Sequence, residues 1–174
     1  MMFMVCLVLR VVYGEEEIRC IPEEREALLQ FKAALHLNKG MLSSWSTPHC
    51  CQWEGIRCSN LTAHILSLHL HGESVYYGSS GRYISGEIHN HIPEFLGSFR
   101  NLRYLDLSSC FFGGKIPSQF RSLSHLKYLN LAGNSLVGSI PRQLANLSQL
   151  WYLDLGYNIL LKEIYHLSFG TLHT

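Results

Sequence analysis

Apolar positions along this chain follow two rhythms. Over long range, leucines return every 24 residues: Leu102, Leu126 and Leu150; Leu105, Leu129 and Leu153; Leu107, Leu131 and Leu155. Over short range, "YLDL", "YLNL" and "YLDL" alternate with period two, which predicts a short strand in each unit. The leucines of that strand point inward, and Tyr128 and Asn130 point outward. Between the strands the chain is too rich in Asn, Gly and Pro for a helix, as in "AGNSLVGSIP" (132–141). Asn134 is expected to turn the chain, its buried side chain satisfying backbone groups of adjacent coils. Gly138 allows a tight backbone, Ile140 returns to the core, and Pro141 holds the residue before it extended. Leucine therefore lines the inside of each coil, while Asn, Gly and Pro bend the coil round.

A period of 24 with the pattern L-x-x-L-x-L-x-x-N/C-x-L reads as a leucine-rich solenoid. The predicted class is an α/β solenoid with short parallel strands on a concave face. Ahead of the repeats, "PEEREALLQFKAAL" reads as an amphipathic helix, with Leu28, Phe31 and Leu35 on its apolar side. Pro22 suits the first turn, and Glu23, Glu24 and Glu26 complement the helix dipole; Lys39-Gly40 is expected to close it. Trp45 and Trp53 follow. An open-ended solenoid exposes the apolar side of its first coil, so residues 20–60 are expected to cap it.

Two stretches break the rhythm. Leu70 and Leu107 are 37 residues apart, and the segment between them holds two half-signals, Gly86-Glu87-Ile88 and Ile92-Pro93. Ile92, Ile116, Ile140 and Ile164 share the phase, whereas Ile88 does not. Residues 61–101 are therefore expected to be irregular first repeats, with one unit lost and two tails fused. The alternative is an intact repeat carrying a long Gly/Ser/Tyr loop. Regular repeats of 24 residues are expected over 102–165 and a degenerate tail over 166–174, which suggests truncation.

Composition adds a compartment. The 174 residues are 47% hydrophobic and 16% charged, with net charge +1 and scattered cations, so nucleic acid is not an expected partner. Residues 1–14 read as a signal peptide with Gly14 at the cut, and no later stretch has the run of apolar residues needed to span a bilayer. Cys20, Cys50, Cys51 and Cys58 cluster ahead of the repeats. Four cysteines allow three pairings. A bond between adjacent Cys50 and Cys51 would be strained, so the expectation, which spacing alone leaves open, is Cys20–Cys50 with Cys51–Cys58. The spacings lack the paired knuckles of a zinc site. Asn60 and Asn146 begin N-glycosylation triplets, which matter only in a secreted chain.

Candidate chemistry lies on the outward strand positions. Tyr104, Tyr128 and Tyr152 form one column; Asp106, Asn130 and Asp154 form the next. Ser108, Ala132 and Gly156 follow, then Ser109, Gly133 and Tyr157. Of these, Tyr104, Asp106, Ser108, Tyr128, Asn130, Tyr152, Asp154 and Tyr157 are the candidate contacts for a protein or peptide ligand, since tyrosine buries area and still offers a hydroxyl. Asp106 and Asp154, two coils and about 10 Å apart, are at the outer limit for an inverting glycosidase pair. Nothing in the sequence desolvates either, and no enzyme activity is expected. His69-x-His71 and His89-x-His91 lack a third ligand nearby, so neither a metal nor another cofactor is expected. Cys110 takes the turn position of Asn134 and Asn158 and reads as a structural thiol in that ladder.

"CIPEEREALLQFKAAL", "LSSWS" and "CCQWEGIRCSN" together resemble the N-terminal cap of plant extracellular leucine-rich-repeat proteins, and the repeats are similar to the plant-specific unit. Wording such as "RYLDLS" and "GKIPSQF" is similar to plant receptor-like proteins, especially the fungal-xylanase receptor class. That resemblance implies a cell-surface or secreted protein of pathogen perception. Its implied ligand is a microbial protein or peptide, with a co-receptor kinase engaged only by a full-length receptor. A secreted inhibitor of a microbial cell-wall-degrading enzyme, similar to the polygalacturonase inhibitors, is the alternative, and a remnant gene product is a third.

Overall fold

The computed structural model describes residues 20–35, 42–70, 90–158 and 160–162. The expected signal peptide, the Lys39-Gly40 helix closure, His71, His89, the proposed loss of a repeat and the tail lie outside those residues. Helix α1 runs Pro22–Ala34, with Pro22 in its first turn and Glu23 and Glu24 at its positive end. Strand β1 (Ile56–Cys58) and strand β2 (Ile65–His69) follow, then β3 (Asn90–His91), β4 (Tyr104–Asp106), β5 (Phe112–Gly114), β6 (Tyr128–Asn130), β7 (Ser135–Ser139), β8 (Tyr152–Asp154) and β9 (Leu160–Lys162). Short 3₁₀ helices at Glu94–Ser98, Ser118–Ser122 and Arg142–Asn146 complete the coils, each entered through a proline.

Two sheets wrap the core. The first has the order β1-β2-β4-β6-β8, the second β3-β5-β7-β9. In the first sheet Leu68 pairs with Leu105, Leu105 with Leu129 and Leu129 with Leu153, all in parallel register. The 24-residue leucine columns are thus stacks of neighbouring coils. Leu102, Leu105, Leu107, Leu126, Leu129 and Leu131 are fully buried. Strands β2 and β4 are direct neighbours in the first sheet. The second sheet goes beyond the sequence reading, which expected only an extended return ahead of each Ile-Pro. Gly114 and Gly138 adopt φ of +72° and +83° in that return, where a side chain would be strained. Ile92 and Ile116 are buried as their phase predicts, while Ile140 is half-buried.

The cap closes the first coil. Leu28 and Phe31 are fully buried, and the Phe31 ring stacks on Phe112 of β5, with centroids 6.2 Å apart. Trp45 stacks on Trp53 at 5.4 Å, and each indole N–H is satisfied: Trp45 Nε1 donates to the Glu54 carbonyl and Trp53 Nε1 to Thr47 Oγ1. The Arg25 guanidinium lies 5.5 Å from the Trp53 ring centroid. Strand β1 runs antiparallel to β2 and covers the sheet edge that a parallel coil would otherwise leave open. Disulfides join Cys20 to Cys50 and Cys51 to Cys58. The carboxylate of Glu24 on α1 accepts the Ile65 amide at 2.8 Å and contacts His64 Nδ1 at 2.9 Å, tying the helix to the first strand of the repeats.

Candidate functional site

The outward side chains of the first sheet form ladders because the strands are in register. Tyr128 lies between Tyr104 and Tyr152, with ring centroids 4.2 Å apart on each side and interplanar angles of 8° and 2°. One coil rise separates consecutive rings, close to the strand spacing of about 4.8 Å. Both faces of the Tyr128 ring are thus covered by neighbouring rings. Desolvation, followed by hydrogen bonding with Tyr128, pushes the Tyr152 phenol up to about 12. Desolvation and the contact with Tyr104 push Tyr128 up as well.

The Asp/Asn column serves the backbone. Asp106 Oδ1 accepts the Ser108 amide at 3.0 Å, Asn130 Oδ1 the Ala132 amide at 3.0 Å and Asp154 Oδ1 the Gly156 amide at 2.8 Å. Each carboxylate or amide folds the chain two residues on, as Asx side chains do in turns. The second oxygen of Asp106 accepts the Tyr104 hydroxyl and lies 3.3 Å from His69 Nδ1. Asp154 accepts Tyr152 in the same way.

Two candidate contacts are corrected by burial. Asp106 and Ser108 are only 5% and 7% exposed, so neither is presented to a ligand as a free outward side chain. The expectation that nothing desolvates Asp106 fails for the same reason: His69 and the adjacent coil cover it. Tyr104, Tyr128, Asn130, Tyr152 and Asp154 are half-buried. Tyr157 stands apart, 89% exposed at φ +55°, in the column of Ser109 and Gly133, which share its left-handed backbone.

The turn ladder is built from Asn134, Asn158 and Cys110. Asn134 Nδ2 donates to the carbonyls of Leu107, Leu131 and Ala132, and its Oδ1 accepts the Phe112 amide. Asn158 repeats the pattern with Leu131, Leu155, Gly156 and Leu136. Cys110 Sγ donates to the Leu70 carbonyl at 3.1 Å and the Ser108 carbonyl at 3.3 Å, reproducing the donor half of the asparagine. Among the described residues, one group of three potential metal ligands converges, Cys20, Cys50 and Cys51. Disulfides occupy those sulfurs, so no thiolate is available to a metal there. Asn60 and Asn146 are both exposed.

Sequence reasoning missed a column beside the tyrosines. Arg103, Lys127 and Trp151 are exposed and stacked through the ladder bonds Lys127 N–Arg103 O and Trp151 N–Lys127 O, at 2.8 and 3.0 Å. Trp151 meets Tyr128 and Tyr152 edge-on, with centroids 6.3 and 6.2 Å apart. The signal was present, since these residues share the 24-residue spacing, but changing chemistry along the column hid it.

In-register parallel coils, an asparagine turn ladder and a disulfide-stapled helical cap define a capped leucine-rich-repeat solenoid. Residues 21–59 match the leucine rich repeat N-terminal domain and residues 100–160 the leucine rich repeat. The chain belongs to the leucine-rich-repeat family, and its curated relatives include plant receptor-like proteins. Receptor-like protein EIX2 of Solanum lycopersicum is 37% identical over 126 residues, covering 59% of this chain and 12% of EIX2. Receptor-like protein EIX1 of the same organism is 33% identical over 137 residues, covering 62% of this chain and 13% of EIX1. The chain thus spans 12–13% of the length of these two relatives. A chain in the crystal structure of the BIR3–SERK2 complex from Arabidopsis thaliana is 34% identical, with TM-score 0.60, covering 78% of this chain and 68% of that one. Among the described residues, no helix is long and apolar enough to cross a membrane.

Proposed function

We propose that this chain is an extracellular protein-binding module that acts in plant pathogen perception, at the cell surface or in the secreted space. The observation that carries the reading is the tyrosine stack of the first sheet. Three parallel rings brace one another, so binding there costs little side-chain ordering, and the Tyr104 and Tyr152 hydroxyls are oriented by Asp106 and Asp154. The two cap disulfides support an oxidising, secretory compartment, where the exposed Asn60 and Asn146 would carry glycans. The resemblance to fungal-xylanase receptors and the receptor-like relatives support a microbial protein as ligand, with a co-receptor kinase recruited when the module is part of a complete receptor. Within this reading residues 20–60 are the cap, 61–101 an irregular first repeat and 102–165 the regular repeats. The role is binding, without catalysis.

The test is surface plasmon resonance of the secreted, glycosylated full chain against a purified fungal xylanase. Saturable binding that Tyr128→Ala weakens about tenfold, as loss of an aromatic anchor does, is expected. Binding that is indifferent to Tyr128 overturns the assignment of the surface. Binding to a polygalacturonase instead, with inhibition of that enzyme, would favour the inhibitor.

A further inference from the structure

We infer that the strip formed by Arg103, Lys127 and Trp151 docks an extended acidic peptide segment of the partner. The inference rests on the protein-binding reading above and specifies the chemistry of the ligand. Arg103 and Lys127 are exposed neighbours on paired strands, joined by the Lys127 N–Arg103 O bond at 2.8 Å. Like charges directly opposite on adjacent strands destabilise a sheet, and among the described residues no carboxylate forms an ion pair with either. The carboxylates of the same face are engaged elsewhere. Asp106 is buried against His69, Tyr104 and the Ser108 amide, and Asp154 holds the Gly156 amide and the Tyr152 hydroxyl. A ligand approaching at Arg103 and Lys127 therefore meets two adjacent cations, with Asp106 buried behind them and half-exposed Asp154 one coil further on.

Trp151 extends the strip by one coil and is 64% exposed. Its edge-on contacts with Tyr128 and Tyr152 brace the ring and leave apolar surface open. Tryptophan and arginine, the two ends of this strip, are both enriched among the residues that dominate interface energetics. The coil rise of about 4.8 Å places the two cations within reach of alternate carboxylates on an extended chain, which lie about 6.8 Å apart. Flexible Arg and Lys stems absorb the difference.

The structure supplies its own probe. Of the three tryptophans, Trp45 and Trp53 are buried at 1% and 2% exposure, so quenching by acrylamide reads Trp151. The full chain is titrated with a synthetic peptide of alternating glutamate and serine, with its glutamine counterpart, and with polygalacturonate. The glutamate peptide is expected to bind and protect Trp151, the glutamine peptide to leave it quenchable, and added salt to weaken the complex. Arg103→Gln and Lys127→Gln should each weaken binding about two- to fivefold, with unchanged circular dichroism. Trp151→Phe, followed by isothermal titration calorimetry because it removes the fluorescent probe, should weaken peptide binding without altering its salt dependence. Equal binding of both peptides, affinity indifferent to the two glutamine variants, or binding of polygalacturonate alone would each overturn the inference. Xylanase binding that depends on Tyr128 but not on Arg103 and Lys127 sinks this inference and leaves the protein-binding reading intact. Binding that depends on Arg103 and Lys127 but not on Tyr128 supports this inference and overturns the assignment of the tyrosine surface.

Discussion

Asn134 binds the amide of Phe112, one coil away, through its Oδ1 at 2.9 Å, while its Nδ2 holds the Leu107 carbonyl at 2.8 Å. One buried side chain thus satisfies donors and acceptors on two successive turns. Asparagine suits this position because its amide group both donates and accepts. Asn134→Leu should cost about 2–4 kcal/mol, since it strands a buried N–H and more than one carbonyl. Urea denaturation of the variant against the parent chain measures this.

Glu24 anchors the cap to the repeats through Ile65 N–H and His64, and its side chain is only 13% exposed. Glu24→Ala should destabilise the chain by about 1–3 kcal/mol, the range for a lost hydrogen bond to a charged group. Hydrogen exchange at the Ile65 amide should accelerate more than at Leu129, deep in the sheet.

Reduction should loosen the cap unequally. The Cys20–Cys50 bond closes a separation of 30 residues and the Cys51–Cys58 bond one of 7. Chain entropy assigns about 3–4 kcal/mol to the first and about 2 kcal/mol to the second. Melting temperatures of the Cys20→Ser/Cys50→Ser and Cys51→Ser/Cys58→Ser pairs should fall in that order.

Tyrosine ionisation should destabilise the fold at alkaline pH. Tyr152 is pushed up to about 12 from an ordinary 10 by desolvation and by its bond with Tyr128. The unfolded chain therefore releases this proton first, and stability present below pH 10 is lost as pH rises towards 12. Ultraviolet titration of tyrosinate should show a late component that Tyr152→Phe removes.

Tyr157 holds a left-handed backbone with φ +55° where the preceding coil uses Gly133. Tyr157→Gly should leave stability unchanged or raise it by up to about 1 kcal/mol, because relief of left-handed strain competes with the entropy glycine adds to the unfolded chain. A drop in xylanase affinity with thermal stability retained would identify the 89% exposed ring as a contact.

Much of this architecture was legible in the periodicity. Leu105, Leu129 and Leu153 pair in register as their spacing demands, and Asn134 and Asn158 turn successive coils as identical positions must. Identical residues at a constant interval report identical surroundings, because every coil is a neighbour of its own copy. Leu28 and Phe31 were equally readable from helical spacing on α1.

Contacts that leave the period were not readable, and they decide the site. Asp106 and Asp154 occupy equivalent positions, yet Asp106 is buried with His69 of β2 against it, whereas Asp154 stays half-exposed. The meeting of Phe31 with Phe112, and of Glu24 with Ile65, likewise depends on how the cap docks. The sequence by itself determined the coil, its inward leucines and its turn asparagines, because these depend only on a residue's own repeat and the next. Tertiary structure alone decided which outward residues remain available, since exposure depends on whatever chain packs across them, at any distance in sequence.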